Sequence, residues 1–497
     1  MKSKYATIVL LVLILALQIA LRIPFLGEPL ERDEGSYAYI AQRMLVGEIP
    51  YRDYFDHKPP VIYFAYAGIF KLFGDSMLSI RLFTLFFSLI LTLLVFAVGY
   101  LWWGRSGGIL SAFLYALFSG GPLVQGTSAN TETFMVLPLL LALYFFLLGK
   151  RREDQGKAGN IREGLFFLAG LFSGLAVMTK QVALINFLVL LGFVSFEAVR
   201  PHNELWGIKK ILKALWLISG FLVPPLFFVV YFWWKGALPD FIEAAFLYNL
   251  AYAKYKLWNW PALVNVVRNE NLVLWFLSAL AVFLIFFRER RNGSILLACW
   301  GLASLTGVFL GKSFYGHYFI QVMPALALLS AFALLMFFEW KKRYIPALGI
   351  GLLICVMVSA NLSHWIDYLS LSPEEISIRK YATWDFVIAP EVAEFIRLNT
   401  LSSDSIFVWG AEQELYFYSQ RKAASKYFYF YPLMYPGEKA VRYRRHMLED
   451  VKKSRPKYIV VSSPGVQYKP FFDMLKSGYT KIGTSMNWEI WEHKGIR

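Results

Sequence analysis

The chain has 497 residues, 57% of them hydrophobic and 17% charged, with 44 Phe, 29 Tyr and 16 Trp; this composition excludes a water-soluble globular protein and makes the bilayer its solvent. The formal charge of +16 does not point to nucleic acid, because the Lys and Arg residues cluster directly after apolar runs, where they fix topology. The two cysteines, Cys299 and Cys355, lie inside apolar stretches as small packing residues and carry no redox or metal pattern.

The first element, 5–24, follows Lys2 and Lys4 as a signal peptide would, yet no small-residue cleavage site closes it, so it reads as a retained helix. Further apolar runs at 76–103, 107–124, 131–148, 164–179, 182–198, 212–233, 271–287, 294–310, 317–338 and 345–361 bring the predicted crossings to about eleven. With Lys2 and Lys4 in the cytoplasm, Lys150/Arg151/Arg152, Lys209/Lys210/Lys213, Arg288/Arg290/Arg291 and Lys341/Lys342/Arg343 fall there too, as the positive-inside rule requires. The predicted arrangement is a multi-pass plasma-membrane protein with a cytoplasmic N-terminus. Segments 27–74, 235–270 and everything after 362 then lie outside.

Within the first external loop, Tyr37, Ile40, Ala41, Met44 and Leu45 recur at helical spacing behind Arg32-Asp33-Glu34, the pattern of an amphipathic helix lying on the membrane surface. A second piece, 59–73, is apolar but short for a span, so it re-enters or lies along the interface. Between them stand Asp33, Glu34, Asp53, Asp56, His57 and Lys58, a mixture suited to group transfer from a lipid phosphate. A carboxylate takes a proton from an incoming hydroxyl, and a Lys neutralises charge on a departing phosphate. Asp33 is equally readable as a helix N-cap, and the others as a solvated face.

The external loop 235–270 is bracketed by Trp233, Trp234, Trp258 and Trp260, which read as interfacial anchors, and its stretch 241–255 as a gate over a lipid groove. The final segment, 363–497, changes to mixed charge and reads as a small soluble α/β domain: helices at 391–398 and 469–476, strands at 405–408 and 458–461, and a closing hairpin over 481–491 around Met486 and Asn487. The domain division expected is 1–362 for the membrane part and 363–497 for the external domain.

The run Arg32-Asp33-Glu34-Gly35-Ser36-Tyr37-Ala38, followed by His57-Lys58-Pro59-Pro60 before an aromatic helix, resembles the first external loop of the lipid-carrier-dependent glycosyltransferases with the GT-C fold. The subgroup it is most similar to contains the aminoarabinose transferase of lipid A and the protein O-mannosyltransferase-like proteins. Gly174-Leu175-Ala176-Val177-Met178-Thr179-Lys180, and His317-Tyr318-Phe319 leading into Pro324-Ala325-Leu326, are also similar to that group.

The resemblance implies Asp33 as catalytic base, Glu34 as its companion, and Lys58 as a donor-phosphate contact. Glu34 reads as well as an acidic residue favoured by the helix dipole. Lys180, at the external end of a crossing, reads as a phosphate contact or as a Lys snorkelling to the interface. His317 and Tyr318 read as donor-pocket residues or as members of the aromatic belt. The implied partners are a polyprenyl-phosphate-linked sugar, an acceptor hydroxyl on a lipid, polysaccharide or protein, and membrane lipids, with no nucleic acid. No metal motif is present; a divalent ion is compatible with Asp33-Glu34, but a Lys58 that supplies positive charge makes one unnecessary.

The short loop 235–270 leaves no room for the large insertion of the eukaryotic protein mannosyltransferases, which favours a bacterial or archaeal enzyme. Two competing classes are a transporter or lipid flippase, against which the predicted crossings lack charge in their middles, and a receptor or assembly subunit acting through its C-terminal domain.

Overall fold

The computed structural model describes residues 2–156, 159–199, 204–270, 272–289, 292–340, 366–434 and 437–495. The chain divides into two compact units: Met1–Leu26, Arg81–Val230 and Lys256–Leu371 form the first, and Gly27–Ile80, Tyr231–Tyr255 and Ser372–Arg497 form the second. This division does not follow the chain as simply as a cut at 362, because two excursions from the apolar part of the sequence join the C-terminal segment.

In the first unit the apolar periodicity becomes helix. Seven described helices are long and apolar enough to cross a membrane, or eight if the bent pair Trp260–Asn269 and Leu272–Phe287 is one span. Four differences separate this number from about eleven. The run Met77–Phe118 is continuous in hydrogen bonding but broken at Trp103 (φ −130°) and Gly104 (φ 64°, ψ −154°), so it is two helices. Apolar helix Gln181–Ser195 falls short of span length. The predicted 271–287 crossing is half of the bent pair. The 345–361 crossing lies outside the described residues, as do Cys355, Arg290, Arg291 and Lys341/Lys342/Arg343.

Small residues set the closest helix contacts, as they do where lipid offers no hydrophobic drive for helix association. After the break at Gly104 the chain doubles back: a Cβ on Gly99 would lie 2.8 Å from Ser111 Oγ, and one on Gly108 the same distance from the Phe96 ring. Helices Asn160–Val177 and Glu204–Trp234 touch through Gly170, Gly174 and Gly220, where an added Cβ would meet the backbone carbonyl oxygens of Leu217, Phe221 and Phe167 at 1.9, 2.3 and 2.0 Å. Lys213, placed by the sequence among the cytoplasmic topology charges, is buried and ion-paired with Glu153; burying a Lys without such a partner would be costly.

In the second unit the five strands are β1 (Ser405–Trp409), β2 (Lys422–Ala423), β3 (Tyr458–Val461), β4 (Tyr479–Ser485) and β5 (Trp488–His493), ordered β2-β1-β3-β5-β4. β1 runs parallel to β2 and β3, while β5 is antiparallel to β3 and β4. Ile406 to Trp409 and all of β3 are buried, matching their unbroken apolar runs. Met486, with φ 48°, turns the β4–β5 hairpin.

The predicted helices are present as Asp385–Leu398 and Lys469–Gly478. Four other described helices carried no prediction, two of them the short Glu414–Ser419 and Tyr431–Met434. Pro373–Tyr381 begins with a capping box of Ser372 and Glu375. Glu438–Ser454 hides a narrow buried stripe of Ala440, Tyr443, Met447 and Val451 among charged residues.

Helix Arg32–Leu45 corrects the surface-helix expectation. It is buried on both faces: Tyr37, Ala38, Tyr39, Ile40 and Ala41 are each at most 1% exposed. On one face the Tyr37 ring meets Tyr63 and Tyr66 of helix Val61–Phe73 at 6.1 and 5.7 Å. On the other, Tyr39 packs on Tyr416 and Phe428, and its hydroxyl accepts the Ala423 amide at 2.7 Å. The face that periodicity alone assigns to lipid headgroups is covered by the C-terminal segment.

Candidate active site

The site in the second unit starts with how helix Arg32–Leu45 begins. Glu31 is its N-cap, accepting the amides of Asp33 and Glu34 at 3.0 and 3.1 Å, while Glu34 Oε2 accepts the Glu31 amide at 3.2 Å. This reciprocal capping box removes the N-cap reading of Asp33, which stands at the second helical position. Glu34 is fully buried and closes the box. Burial, together with the charges of Asp33 and Glu34, raises the Glu31 carboxyl to about 8.

Asp33 faces Lys58. Its Oδ2 lies 3.4 Å from Lys58 Nζ, the two side chains being 31% and 15% exposed, and Lys58 Nζ also stands 5.5 Å from the centre of the Tyr37 ring. Lys58 precedes Pro59-Pro60, and Pro60, already in the helical region at φ −71° and ψ −25°, leads into helix Val61–Phe73. Its backbone is gripped from behind: the Tyr51 hydroxyl donates to the Lys58 carbonyl at 2.7 Å, and Asn249 Nδ2 donates to the His57 carbonyl at 2.6 Å. Tyr51 has φ 71°, a strained conformation for a bulky residue, and it is locked by the rings of Tyr63, Phe232 and Phe241 at 5.2 to 5.9 Å.

Below this pair lies Asp56, 4% exposed, accepting the Ser36 hydroxyl at 3.0 Å and the His57 amide at 2.6 Å. Burial raises its carboxyl above the usual range; Asp33 pushes the same way, and the Lys58 charge opposes. The His57 ring lies 5.6 and 5.5 Å from Tyr248 and Tyr252, and the latter two rings are stacked with each other. These tyrosines are delivered by the π-helical turn Glu243–Tyr248 and helix Asn249–Tyr255, an irregularity that often marks a functional segment.

Lys180, His317 and Tyr318 come together in the first unit. Lys180 is ion-paired with Glu132, which is fully buried in the first turn of helix Thr131–Asp154. Lys180 Nζ also stands 4.3 Å from the centre of the Tyr318 ring. Lys256 Nζ donates to the Tyr318 hydroxyl at 2.9 Å, and His317 Nδ1 is 2.9 Å from Gln125 Oε1. The snorkelling reading of Lys180 gives way to a paired, largely buried ammonium.

Sequence reasoning missed Glu132, Lys256, Tyr51 and Asn249 as site residues. Only Glu132 carried a signal, an acid opening an apolar run. Among the described residues no group of three or more His, Cys, Asp or Glu side chains is arranged to hold a metal ion.

Residues 57–235 match the family described as dolichyl-phosphate-mannose-protein mannosyltransferase, and residues 389–494 match the C-terminal domain of the putative competence-induced protein Ccs4. The first match begins at His57, so it contains Lys58 but not Asp33. No curated protein matches the chain.

Among solved structures, ArnT from Cupriavidus metallidurans bound to undecaprenyl phosphate superposes with a TM-score of 0.66 at 14% identity, covering 97% of each chain. The oligosaccharyltransferase of Archaeoglobus fulgidus, tethered with an acceptor peptide, superposes with a TM-score of 0.60 at 15% identity, covering 92% of this chain and 69% of that one. The same archaeal enzyme, AglB, in complex with an inhibitory peptide and a dolichol-phosphate gives 0.58 at 15% identity, over 93% of this chain and 70% of that one. The chain is a multi-pass helical membrane protein with the GT-C fold, and it resembles the lipid-carrier-dependent glycosyltransferases of the ArnT and protein-mannosyltransferase type.

Proposed function

We propose that this protein transfers one sugar from a polyprenyl-phosphate donor to an acceptor hydroxyl on the outer face of the plasma membrane. The observation that carries this reading is the Asp33–Lys58 pair, a carboxylate 31% exposed on a capped helix head with a lysine 3.4 Å away. Asp33 takes the acceptor's proton as its oxygen forms a bond to the anomeric carbon. The bond from that carbon to the phosphate oxygen breaks, its electron pair leaves with the polyprenyl phosphate, and Lys58 neutralises the charge that develops there. Attack opposite the leaving group inverts the anomeric centre. Glu34 acts by holding the helix start through its capping bond.

Lys180, His317 and Tyr318 are proposed as further contacts to the donor phosphate, with Lys256, which shares Tyr318 with Lys180. The undecaprenyl phosphate in the ArnT structure and the dolichol-phosphate in the AglB structure support a lipid-phosphate ligand for this chain. The stacked Tyr248–Tyr252 pair beside His57 offers the flat apolar surface on which a sugar ring packs. In this reading the N-terminus is cytoplasmic, the second unit is external, the acceptor hydroxyl belongs to a lipid, polysaccharide or protein, and Lys58 makes a divalent ion dispensable.

The test is a panel of polyprenyl-phosphate sugars incubated with the purified protein in lipid nanodiscs. One donor is expected to be consumed with release of polyprenyl phosphate, undiminished by a chelator. If no donor is consumed and the protein instead drives ion-gradient-dependent uptake in proteoliposomes, a transporter replaces this reading.

A further inference from the structure

The segment 238–255 of the second unit turns three faces to three surroundings. One face, with Tyr248, Asn249 and Tyr252, belongs to the surroundings of His57. A second is held by the C-terminal segment: Lys426 Nζ lies 3.0 Å from Asp240, while Glu243 Oε1 accepts from Arg442 and, at 2.7 Å, from the Tyr443 hydroxyl. The third is apolar and uncovered. Ile242, Phe246, Leu247 and Leu250 are 38 to 67% exposed, and Trp233 and Trp234, just before the segment, are 70 and 72% exposed. Such a row, led by tryptophans, is what a protein presents to the boundary between lipid headgroups and chains.

Where the second and third faces meet, a groove opens between this segment and helix Glu438–Ser454. Leu238, Pro239, Ile242 and Leu247 form its apolar side, and Lys439 and Arg442 its basic side, with Glu243 also lining it. Lys439 Nζ is 3.9 Å from the Glu243 oxygen that Arg442 uses, so one carboxylate serves two cations, whose side chains stay 45 and 51% exposed. The other acid of the segment, Asp240, is engaged by Lys426. The first three turns of helix Glu438–Ser454 carry Lys439, Arg442, Arg444 and Arg445 against one acid, Glu438. The groove therefore has a surplus of positive charge along one side and hydrocarbon along the other.

That combination selects an anionic amphiphile. A phosphodiester accepts charge-assisted hydrogen bonds from an arginine fork and a lysine, and an acyl chain removes Ile242 and Leu247 from water. A soluble anion would use the two cations and leave the apolar side wet. A zwitterionic lipid would bring its own positive charge against Lys439 and Arg442. Basic residues beside a membrane-facing segment are also where anionic headgroups gather.

We propose that the groove between segment 238–247 and helix Glu438–Ser454 is a binding site for an anionic phospholipid of the bilayer, with its phosphodiester on Lys439 and Arg442 and an acyl chain along Leu238, Ile242 and Leu247. The bound lipid ties the C-terminal domain to the membrane surface and braces the segment that brings Tyr248 and Asn249 to His57. The inference does not depend on the transferase reading, and its test reads lipid contact rather than turnover.

The full-length protein is placed in phosphatidylcholine nanodiscs doped with phosphatidylglycerol or phosphatidylcholine that carries a photoactivatable diazirine in one acyl chain, and crosslinked peptides are counted by mass spectrometry. Peptides covering 238–247 are expected to take up the phosphatidylglycerol probe about fivefold more than the phosphatidylcholine probe, the worth of one basic residue at an anionic surface. Lys439→Gln is expected to remove most of that excess and Lys439→Arg to keep it; as a surface substitution, neither is expected to disturb folding. Equal uptake of the two probes by the native protein, or an excess unmoved in Lys439→Gln, overturns the proposal. An excess abolished by inorganic phosphate at constant ionic strength also overturns it, because the groove would then be a site for a free anion.

Discussion

The Lys58–Asp33 pair of the second unit and the Lys180–Glu132 pair of the first differ in burial, and in the proposed mechanism that difference separates a proton-accepting carboxylate from a supporting one. Lys58 and Asp33 are 3.4 Å apart with the carboxylate 31% exposed. Lys180 is held against a Glu132 that is fully buried. A carboxylate open to solvent can receive a proton from an incoming group and give it up again. A buried carboxylate with a lysine on one oxygen and the Thr131 hydroxyl donating to the other at 2.8 Å is engaged on both oxygens, an arrangement suited to holding Lys180 in place. In this reading the same pairing of a lysine with a carboxylate serves two purposes because burial decides which protonation changes are accessible.

The contrast is broken most directly at Asp33. Asp33→Asn is expected to lower turnover by about 10²- to 10⁴-fold, the usual contribution of a general base, with little change in thermal midpoint; a pair of equal worth in both units would show the reverse. Glu132→Ala leaves a buried ammonium without its partner and is expected to cost about 3 to 5 kcal/mol of stability, read as a lower midpoint in a detergent-solubilised melt. Should that melt be unchanged, the buried pair is not the support described. Lys58→Ala sharpens the contrast from the other side: donor KM is expected to rise by about tenfold or more, the loss of one charge-assisted contact, while the melt moves little.

A further effect concerns the cap. Glu31 has its carboxyl raised to about 8 from an ordinary 4.5, so between those values the folded protein binds a proton that the unfolded chain does not. Stability then falls as pH rises across that window, by up to about 1.4 kcal/mol per unit, and is full below it. Melts taken across the window are expected to slope downward in the native protein and to flatten in Glu31→Gln. An equal slope in both would remove Glu31 as the cause.

Much of the fold was legible because apolar runs of span length have few alternatives in a bilayer: the helices Lys4–Phe25, Thr131–Asp154 and Gly293–Leu310 fall where hydropathy puts them. The split of Met77–Phe118 was legible too, because Trp103-Gly104-Arg105 interrupts the apolar pattern with a residue free to take positive φ. In the site, Asp33 and Lys58 were readable as charges crowded beside an apolar helix. Their supports were not. Asn249 reaches His57 across 192 residues and Tyr39 reaches Ala423 across 384, and such pairings are decided by tertiary packing, which leaves no local period. The cap was misread for a related reason: Asp is a far commoner N-cap than Glu, yet here Glu31 caps and Asp33 is left facing Lys58.

The break at Trp103 and Gly104 has a consequence for biogenesis. The stretch that follows it reaches the end of the helix at Phe118, and with 14 residues it is shorter than a segment that partitions into lipid unaided. Its backbone is pressed against the preceding helix at Gly99 and Gly108. The two arms are therefore expected to enter the membrane as one folded-back pair, the longer arm carrying the shorter. A residue with a bulky side chain at Gly108 would keep them apart, and the damage would be seen as failed membrane integration before any loss of activity could be measured.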